Sequence, residues 1–219
     1  MRLKLICFLL GNLCMPVAAF AQGATDYGSL HGVFKAGSSI ATFKRLIAVP
    51  KIQSKNPAVA ANAISIVIQA RSGVINVPID EEGRADFPFS EELVAENPRV
   101  VSNQPPGSLR VSLVVEVRPP DSASVRYRDF ALAMDDVDSA MRQLGQGFSG
   151  AAIEGLEFRF DPAVRAQISI SRPYGEDLLV ADPQGRVFLR RAKDMSDDAM
   201  LVFSAPPRQV LPRVAAMRP

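Results

Sequence analysis

The chain has 219 residues and a formal net charge of +2, with 25 Lys and Arg residues against 23 Asp and Glu residues. This balance excludes the broad basic surface with which proteins neutralise nucleic-acid phosphates. His31 is the only histidine, which excludes a metal site built from several His ligands. We therefore expect no nucleic-acid partner, no metal site and no cofactor.

The first 21 residues have the organisation of a secretory signal peptide. Two basic residues precede an apolar run over residues 5–13, and Ala19-Phe20-Ala21 supplies the small-x-small pattern of a cleavage site. The apolar run is shorter than the roughly 20 residues of a spanning helix. Bulky Leu13, directly before Cys14, disfavours processing to a lipid anchor. We expect cleavage after Ala21, a periplasmic or secreted location, and no transmembrane span in the mature chain.

Cleavage changes the composition in two ways. Cys7 and Cys14 leave with the signal peptide, so the mature chain has no disulfide, no thiolate nucleophile and no Cys-based zinc site. Arg2 and Lys4 leave as well, which leaves 23 residues of each sign. The mature protein is therefore expected to be neutral overall.

An internal repeat dominates the rest of the sequence. Residues 64–111 align with residues 166–213 without a gap, at an offset of 102 positions. The identical pairs are Ile66/Ile168, Ile68/Ile170, Gly73/Gly175, Asp80/Asp182, Gly83/Gly185, Arg84/Arg186, Val100/Val202, Ser102/Ser204, Pro105/Pro207 and Leu109/Leu211. Turn formers and alternating apolar residues recur, and these specify a backbone. The pattern predicts a mainly β (α+β) fold with two duplicated small antiparallel units.

The repeat also predicts the domain organisation. After the signal peptide at 1–21, we expect a first β domain over residues 22–118 and a second over residues 151–219. A linker over residues 119–150 would carry one amphipathic helix at about 129–144. Near the mature N-terminus, Leu30 to Lys35 and Ile40 to Ala48 are interpreted as further strands.

Each copy contains a four-residue turn that begins with Asp and ends with Gly. The two turns are Asp80-Glu81-Glu82-Gly83 and Asp182-Pro183-Gln184-Gly185. Asp accepts hydrogen bonds from turn amides, and Gly adopts the positive φ that returns the chain. Calcium binding by the carboxylates of the first turn is the alternative, but the second copy keeps only its first Asp. A structural hairpin is favoured.

A polar stretch follows in each copy. Ser90 is placed to cap a helical turn that begins with Glu91 and Glu92. The corresponding stretch of the second copy is Asp194 to Ala199. One helical turn is therefore expected in each unit.

The helix between the copies has a clear apolar stripe. Its members recur at steps of three and four residues: Phe130, Met134, Val137, Met141 and Leu144. We expect this stripe to pack in the core, although the methionines leave open a groove for a partner. The opposite side carries Asp135 and Asp138, which are interpreted as a solvated acidic face rather than a metal site.

No residue is predicted to be catalytic. Carboxylate pairs that cleave glycans have no diagnostic sequence spacing, but the chain has no Trp and only three Tyr residues for stacking on sugars. Arg126, Tyr127 and Arg128 are the candidate partner contacts, because Arg and Tyr are enriched at interface centres. Tyr127, between two arginines, is expected to be an exposed aromatic. A solvated entry to the helix is the alternative for these three.

Three functional hypotheses follow. The first is a non-catalytic β-repeat protein that binds another protein, or acts as a scaffold, in the bacterial cell envelope. The second is a carboxylate-based glycan hydrolase or carbohydrate-binding module, and the third is a periplasmic chaperone-like or small-ligand carrier. The poverty of catalytic side chains favours the first.

Overall fold

The computed structural model describes residues 14–17, 24–36, 40, 42–143, 152–172, 175–192 and 195–214. Over these residues the chain is mainly β with three α-helices, which confirms the predicted fold class at that level. It divides into two compact units. Cys14–Thr42 and Ala48–Val114 form the amino-terminal unit, and Phe43–Ile47 with Val115–Pro219 belong to the carboxy-terminal unit.

The amino-terminal unit contains a four-stranded antiparallel sheet in the order β2-β6-β4-β5. Strands β1 and β3 pair with β7. The first two residues of β3 and the last three residues of β7 belong to the carboxy-terminal unit. The elements are β1 Cys14–Val17, β2 Ala24–Asp26, α1 Tyr27–Ala36, β3 Leu46–Ser54, β4 Ile66–Ala70, β5 Gly73–Val77, α2 Glu91–Glu96, β6 Arg99–Ser102 and β7 Leu109–Val117.

The carboxy-terminal unit contains a four-stranded antiparallel sheet in the order β11-β10-β13-β8. Strand β9 pairs with both β12 and β14. The elements are β8 Ser124–Arg126, α3 Tyr127–Gln143, β9 Ile153–Arg159, β10 Gln167–Arg172, β11 Gly175–Val180, β12 Arg186–Arg190, β13 Met200–Phe203 and β14 Gln209–Val214.

Alternation along the strands builds the core of each four-stranded sheet. Ile66 and Ile68 of β4 are buried, and so are Ile168 and Ile170 of β10, while the residues between them are less buried. This is the period-2 pattern of a sheet that covers a core with one face only. The strands predicted from Ile66/Ile68 and from Ile168/Ile170 are confirmed.

Helix α3 packs its predicted stripe into the carboxy-terminal unit. Phe130, Met134, Val137 and Met141 are each no more than 3% exposed, whereas Leu144 lies outside the described residues. The methionines are therefore core, not a groove. The helix that the sequence places in a linker lies within this unit, while the predicted boundaries at 22–118, 119–150 and 151–219 stay a prediction.

The acidic side of α3 is ion-paired. The Arg191 guanidinium donates to Asp138 at 2.6 Å and also pairs with Asp135. Desolvation lowers the pKa of Arg191, but the neighbouring carboxylates of Asp138 and Asp135 more than reverse this and raise it. A guanidinium therefore occupies the position between these two carboxylates that a metal ion would need.

The two Asp-to-Gly turns have the same backbone structure. Gly83 N–H donates to the Asp80 carbonyl oxygen at 3.0 Å, and Gly185 N–H donates to that of Asp182 at 2.8 Å. Both glycines have positive φ, +82° and +74°. Each Asp side chain also accepts from the amides two and four residues later, at 2.8 to 3.0 Å. Both turns therefore have the geometry of structural hairpins.

The two four-stranded sheets also share the connection between their edge strand and the helix that follows, which the sequence pattern did not predict. A short edge strand leads directly into a helix whose first residue is Tyr27 in one unit and Tyr127 in the other. Leu30 to Lys35 therefore lies in α1, so the predicted strand is wrong. The predicted strand at Ile40 to Ala48 is also misplaced, because β3 runs from Leu46 to Ser54.

The ungapped alignment fails beyond α2. Val100 pairs with Ile68 in the first sheet, and Leu201 pairs with Ile170 in the second. Since Ile68 and Ile170 are 102 positions apart, Val100 corresponds to Leu201 and not to Val202. Both Val100 and Leu201 are fully buried, whereas Val202 is 43% exposed. One residue fewer separates the hairpin from the third strand in the second unit.

The capped turn differs between the units. Ser90 Oγ accepts from Leu93 N–H at 3.3 Å and caps α2, as predicted. Among residues 195–199 of the corresponding stretch, the structure describes turns but no helix. The expectation of a helical turn at Asp194 to Ala199 is not met over those residues.

The predicted signal peptide is described only over Cys14–Val17. These residues form β1, which pairs antiparallel with β7 from Val111 to Val114. Cleavage after Ala21 and the periplasmic or secreted location stay predictions. None of the helices in the described ranges combines the length and the apolar composition of a transmembrane segment.

Candidate protein-binding edge

The three predicted contact residues do not form one exposed patch. Arg126 ends β8 and Arg128 lies in the first turn of α3, and both are exposed. Tyr127 between them is 2% exposed. Its hydroxyl donates to the Ala192 carbonyl oxygen at 3.3 Å and accepts from Ala192 N–H at 3.0 Å. Tyr127 is thus a core residue, and the expectation of an exposed aromatic there is wrong.

Tyr27 has the corresponding role in the amino-terminal unit. Its hydroxyl donates to the Pro88 carbonyl oxygen at 2.6 Å and accepts from Ser90 N–H at 3.2 Å. The ring stacks on His31 at 5.9 Å and on Phe87 at 5.5 Å. His31 is therefore held in an aromatic cluster.

Charged side chains elsewhere pair mainly with one another. Glu157 of β9 is 7% exposed at its side chain and accepts from Arg159 at 2.8 Å and from Arg213 at 2.7 Å. Among the residues that the structure describes, no group of three or more His, Cys, Asp or Glu side chains could hold a metal ion. These pairs are part of the folded framework.

The pairing of β11 with β10 determines which backbone groups of β11 are left for a partner. Ala181 N–H donates to the Ala166 carbonyl oxygen at 2.9 Å, and Leu179, two residues earlier, faces Ile168 in the same register. Antiparallel strands alternate between hydrogen-bonded and non-hydrogen-bonded pairs. The backbone groups of Leu179 therefore point toward β10.

By the same alternation, the intervening residues point away from β10. The N–H and C=O groups of Glu176, Leu178 and Val180 face outward, and we name these three residues the β11 edge. In the part of the chain that the structure describes, no strand pairs with this side of β11. An outward row of backbone donors and acceptors is a template for an added strand.

The side chains of the β11 edge are unusually apolar for an open edge. Leu178 is 55% exposed and Val180 is 62% exposed. Leu178 faces Ser169, which faces Val202 on the next strand, so Leu178 and Val202 share the outer face of the sheet. Val202 is 43% exposed. Backbone groups and exposed apolar side chains thus occur together.

The charges at this edge are few and partly neutralised. Asp177 is ion-paired with Arg172 of β10 at 2.5 Å. Glu176 is exposed at the start of the strand. A partner strand would therefore meet one carboxylate and two apolar side chains along the β11 edge.

The sequence contained a signal for this edge that alternation alone did not reveal. Leu178, Leu179 and Val180 are consecutive apolar residues, which is the pattern of a strand apolar on both faces. Only Leu179 points to the core side, opposite buried Ile168. The other two were therefore candidates for an exposed apolar surface.

Comparisons with protein-family models, curated protein sequences and solved structures find no match for this chain.

Proposed function

We propose that this protein is a non-catalytic, secreted or periplasmic β-repeat protein that binds another protein of the bacterial envelope. Binding takes place by strand addition at the β11 edge. The partner contributes an extended segment with apolar residues at every second position. Main-chain hydrogen bonds supply affinity, and the alternate side chains supply specificity.

The proposal of strand addition rests on two features that occur together at Leu178 and Val180. Their backbone groups point outward from the sheet, and their apolar side chains are more than half exposed. Natural proteins commonly protect an open edge with Lys, Pro, a bulge or a covering segment. An unprotected apolar edge is typical of an interaction site or of an aggregation hazard.

The shared turns, registers and helix entries support the repeat part of the proposal. In both units an edge strand leads into a helix that starts with a buried Tyr, and a hairpin with an Asp-to-Gly turn follows. The offset is 100 positions at Tyr27 and Tyr127, and 102 at Asp80 and Asp182. Small insertions between matching elements are what an old duplication accumulates in loops.

Site-specific photocrosslinking tests the proposal. A benzophenone amino acid at position 180 should give a discrete protein adduct in cells that produce the protein. Leu178→Pro should abolish this adduct, because proline removes an outward N–H that strand addition requires. The substitution should be tolerated by the fold, since this N–H is not bonded to β10.

Asn76→Pro is the matched control. Asn76 on β5 corresponds to Leu178 on β11. The two hairpins have the same register, and each of these residues directly precedes the residue that faces Ile66 or Ile168. This variant should leave the adduct at position 180 intact. An adduct that persists in Leu178→Pro, or that is lost equally in both variants, would overturn strand addition at β11.

A further inference from the structure

A cavity of about 250 Å³ lies in the carboxy-terminal unit, apart from the β11 edge. It forms where the turn before β3, the end of β7, strand β8 and the first turns of α3 meet. Its lining residues are Lys44, Arg45, Val117, Arg118, Pro120, Val125, Asp129, Phe130 and Ala133. The volume is below the roughly 300 Å³ at which pockets for drug-sized ligands begin. A smaller molecule is therefore the matching occupant.

The floor of this cavity is apolar and rigid. Val117, Phe130 and Ala133 are 1 to 3% exposed. The Phe130 ring is held by edge contacts with Phe158 at 5.1 Å and with Phe203 at 6.0 Å. Because close-packed side chains hold this wall, the floor is formed before any ligand arrives.

The rim is mainly cationic. Arg118 N–H donates to the Arg45 carbonyl oxygen at 2.8 Å, and Arg118 Nε donates to that of Lys44 at 2.8 Å. The bond through Nε positions the guanidinium and leaves its two terminal amino groups for a ligand. Arg45 itself is ion-paired with Asp136 at 3.2 Å. Arg118 and Lys44 are therefore the cations that can serve an anion.

One carboxylate, Asp129, also lines the cavity. It lies in the first turn of α3, where the positive end of the helix dipole partly offsets its charge. Two available cations thus line the same cavity as this single carboxylate. The rim therefore favours an anion, and Asp129 reduces its affinity.

We propose that this cavity binds a small amphipathic carboxylate, with its apolar group on the Val117, Phe130 and Ala133 floor. The carboxylate is held by Arg118, which offers two parallel N–H donors to one carboxylate, and by Lys44. Short aliphatic and aromatic acids share this chemistry. The site is independent of strand addition, because no residue of β11 lines the cavity.

Titration calorimetry with hexanoate and benzoate, repeated with hexanamide, benzamide and hexylamine, tests the site. Both acids should bind saturably to the mature protein, and the amides should bind at least tenfold more weakly. Hexylamine should not bind. Acids that show no saturable binding, or amides that bind as tightly as acids, would overturn the proposal.

Substitutions at the rim separate this site from nonspecific binding. Arg118→Gln should weaken hexanoate binding about tenfold or more, and Asp129→Asn should strengthen it severalfold by removing a like charge. Arg99→Gln, an exposed arginine of β6 outside the cavity, should change nothing. Equal weakening by Arg118→Gln and Arg99→Gln would show only a general charge effect and would contradict the proposed carboxylate site. Unchanged or weaker hexanoate binding by Asp129→Asn would contradict it as well.

Discussion

The hairpins β4–β5 and β10–β11 have the same register but different outer faces. Ile66 faces Val77 in the first, and Ile168 faces Leu179 in the second, so the core positions match. On the outer side of the edge strand, Asn76 is replaced by Leu178. Residues that specify the backbone are shared, and residues that meet solvent differ. Differences in binding between the two units are therefore expected at the edges.

The largest expected effects come from the turn glycines, which test whether both turns need the same geometry. A Cβ at Gly83 would lie 2.5 Å from the Ile52 carbonyl oxygen, and at Gly185 it would lie 2.6 Å from that of Phe160. Positive φ adds strain. Gly83→Ala and Gly185→Ala should each lower the free energy of unfolding by about 3 kcal/mol, measured by urea denaturation.

Gly107→Ala is the control for those two variants. Gly107 has φ +72°, but no heavy atom lies within 4 Å of the position that a Cβ would occupy, so only the backbone strain remains. Its cost should be about 1 kcal/mol. If all three variants lost the same stability, the close approach of the turn glycines to the carbonyl oxygens of Ile52 and Phe160 would be contradicted.

The paired tyrosines should give the next largest effect. Tyr27→Phe and Tyr127→Phe each leave a partly buried backbone acceptor and donor without the hydroxyl. The expected loss is about 2 kcal/mol for Tyr27 and about 1 kcal/mol for Tyr127, because the Tyr27 bond to Pro88 is shorter. Thermal or urea unfolding measures both. A loss in one unit and none in the other would break the equivalence of the two helix entries.

Asp182 should make part of the stability depend on pH. Desolvation raises the pKa of Asp182, but hydrogen bonds from the Arg186 amide and guanidinium and from Gln184 N–H together outweigh it and lower the pKa below the ordinary value of an aspartate. Because the pKa of Asp182 is lower in the folded protein than in the unfolded chain, the ionised group stabilises the fold at pH values above the unfolded-state pKa. This stabilisation is lost as the pH falls through the folded-state pKa. At pH 7, Asp182→Asn should cost about 1 kcal/mol or less, since the Asp182 side chain is 36% exposed and solvent screens its interactions.

The same variant should flatten the acid limb of the stability curve. As the pH falls below about 5, the wild-type protein should lose more unfolding free energy than Asp182→Asn. Arg186→Gln removes the guanidinium bonds at 2.8 Å but keeps the amide bond at 2.9 Å, and should be intermediate. Identical acid limbs in wild type and Asp182→Asn would show that this turn does not contribute.

The smallest expected effect is at the outer face. Leu178→Thr and Val74→Thr should each change the unfolding free energy by less than about 0.5 kcal/mol, because both side chains are more than half exposed. The stability of both variants can be measured in the same urea titrations. A loss of 2 kcal/mol at Leu178 would mean that it packs in the fold and is not kept free for a partner.

Much of the β4–β5 and β10–β11 hairpins and of the turns that follow them could be predicted from the sequence, since alternation and turn residues act locally. Asp80, Gly83 and their counterparts specify turns through bonds within a few residues. The stripe of α3 could likewise be predicted from its spacing. These predictions rest on interactions that the nearby sequence contains.

The features that could not be predicted depend on contacts between residues that are distant in the sequence. Tyr27 and Tyr127 lie before the aligned segments, and their partners Pro88 and Ala192 are 61 and 65 residues away. The exposure predicted for Tyr127 failed because flanking arginines suggested a surface position. The shift that matches Val100 with Leu201 arises before the third strand of each sheet, where a difference of one residue leaves no periodic signal.

Amide hydrogen exchange of the protein, read residue by residue by NMR, tests the open β11 edge most directly. We expect the amides of Glu176, Leu178 and Val180 to exchange rapidly, while that of Leu179 is protected by its bond to β10. Equal protection of Leu178, Leu179 and Val180 would show that the edge is already covered in the free protein, and would contradict the proposed site of strand addition.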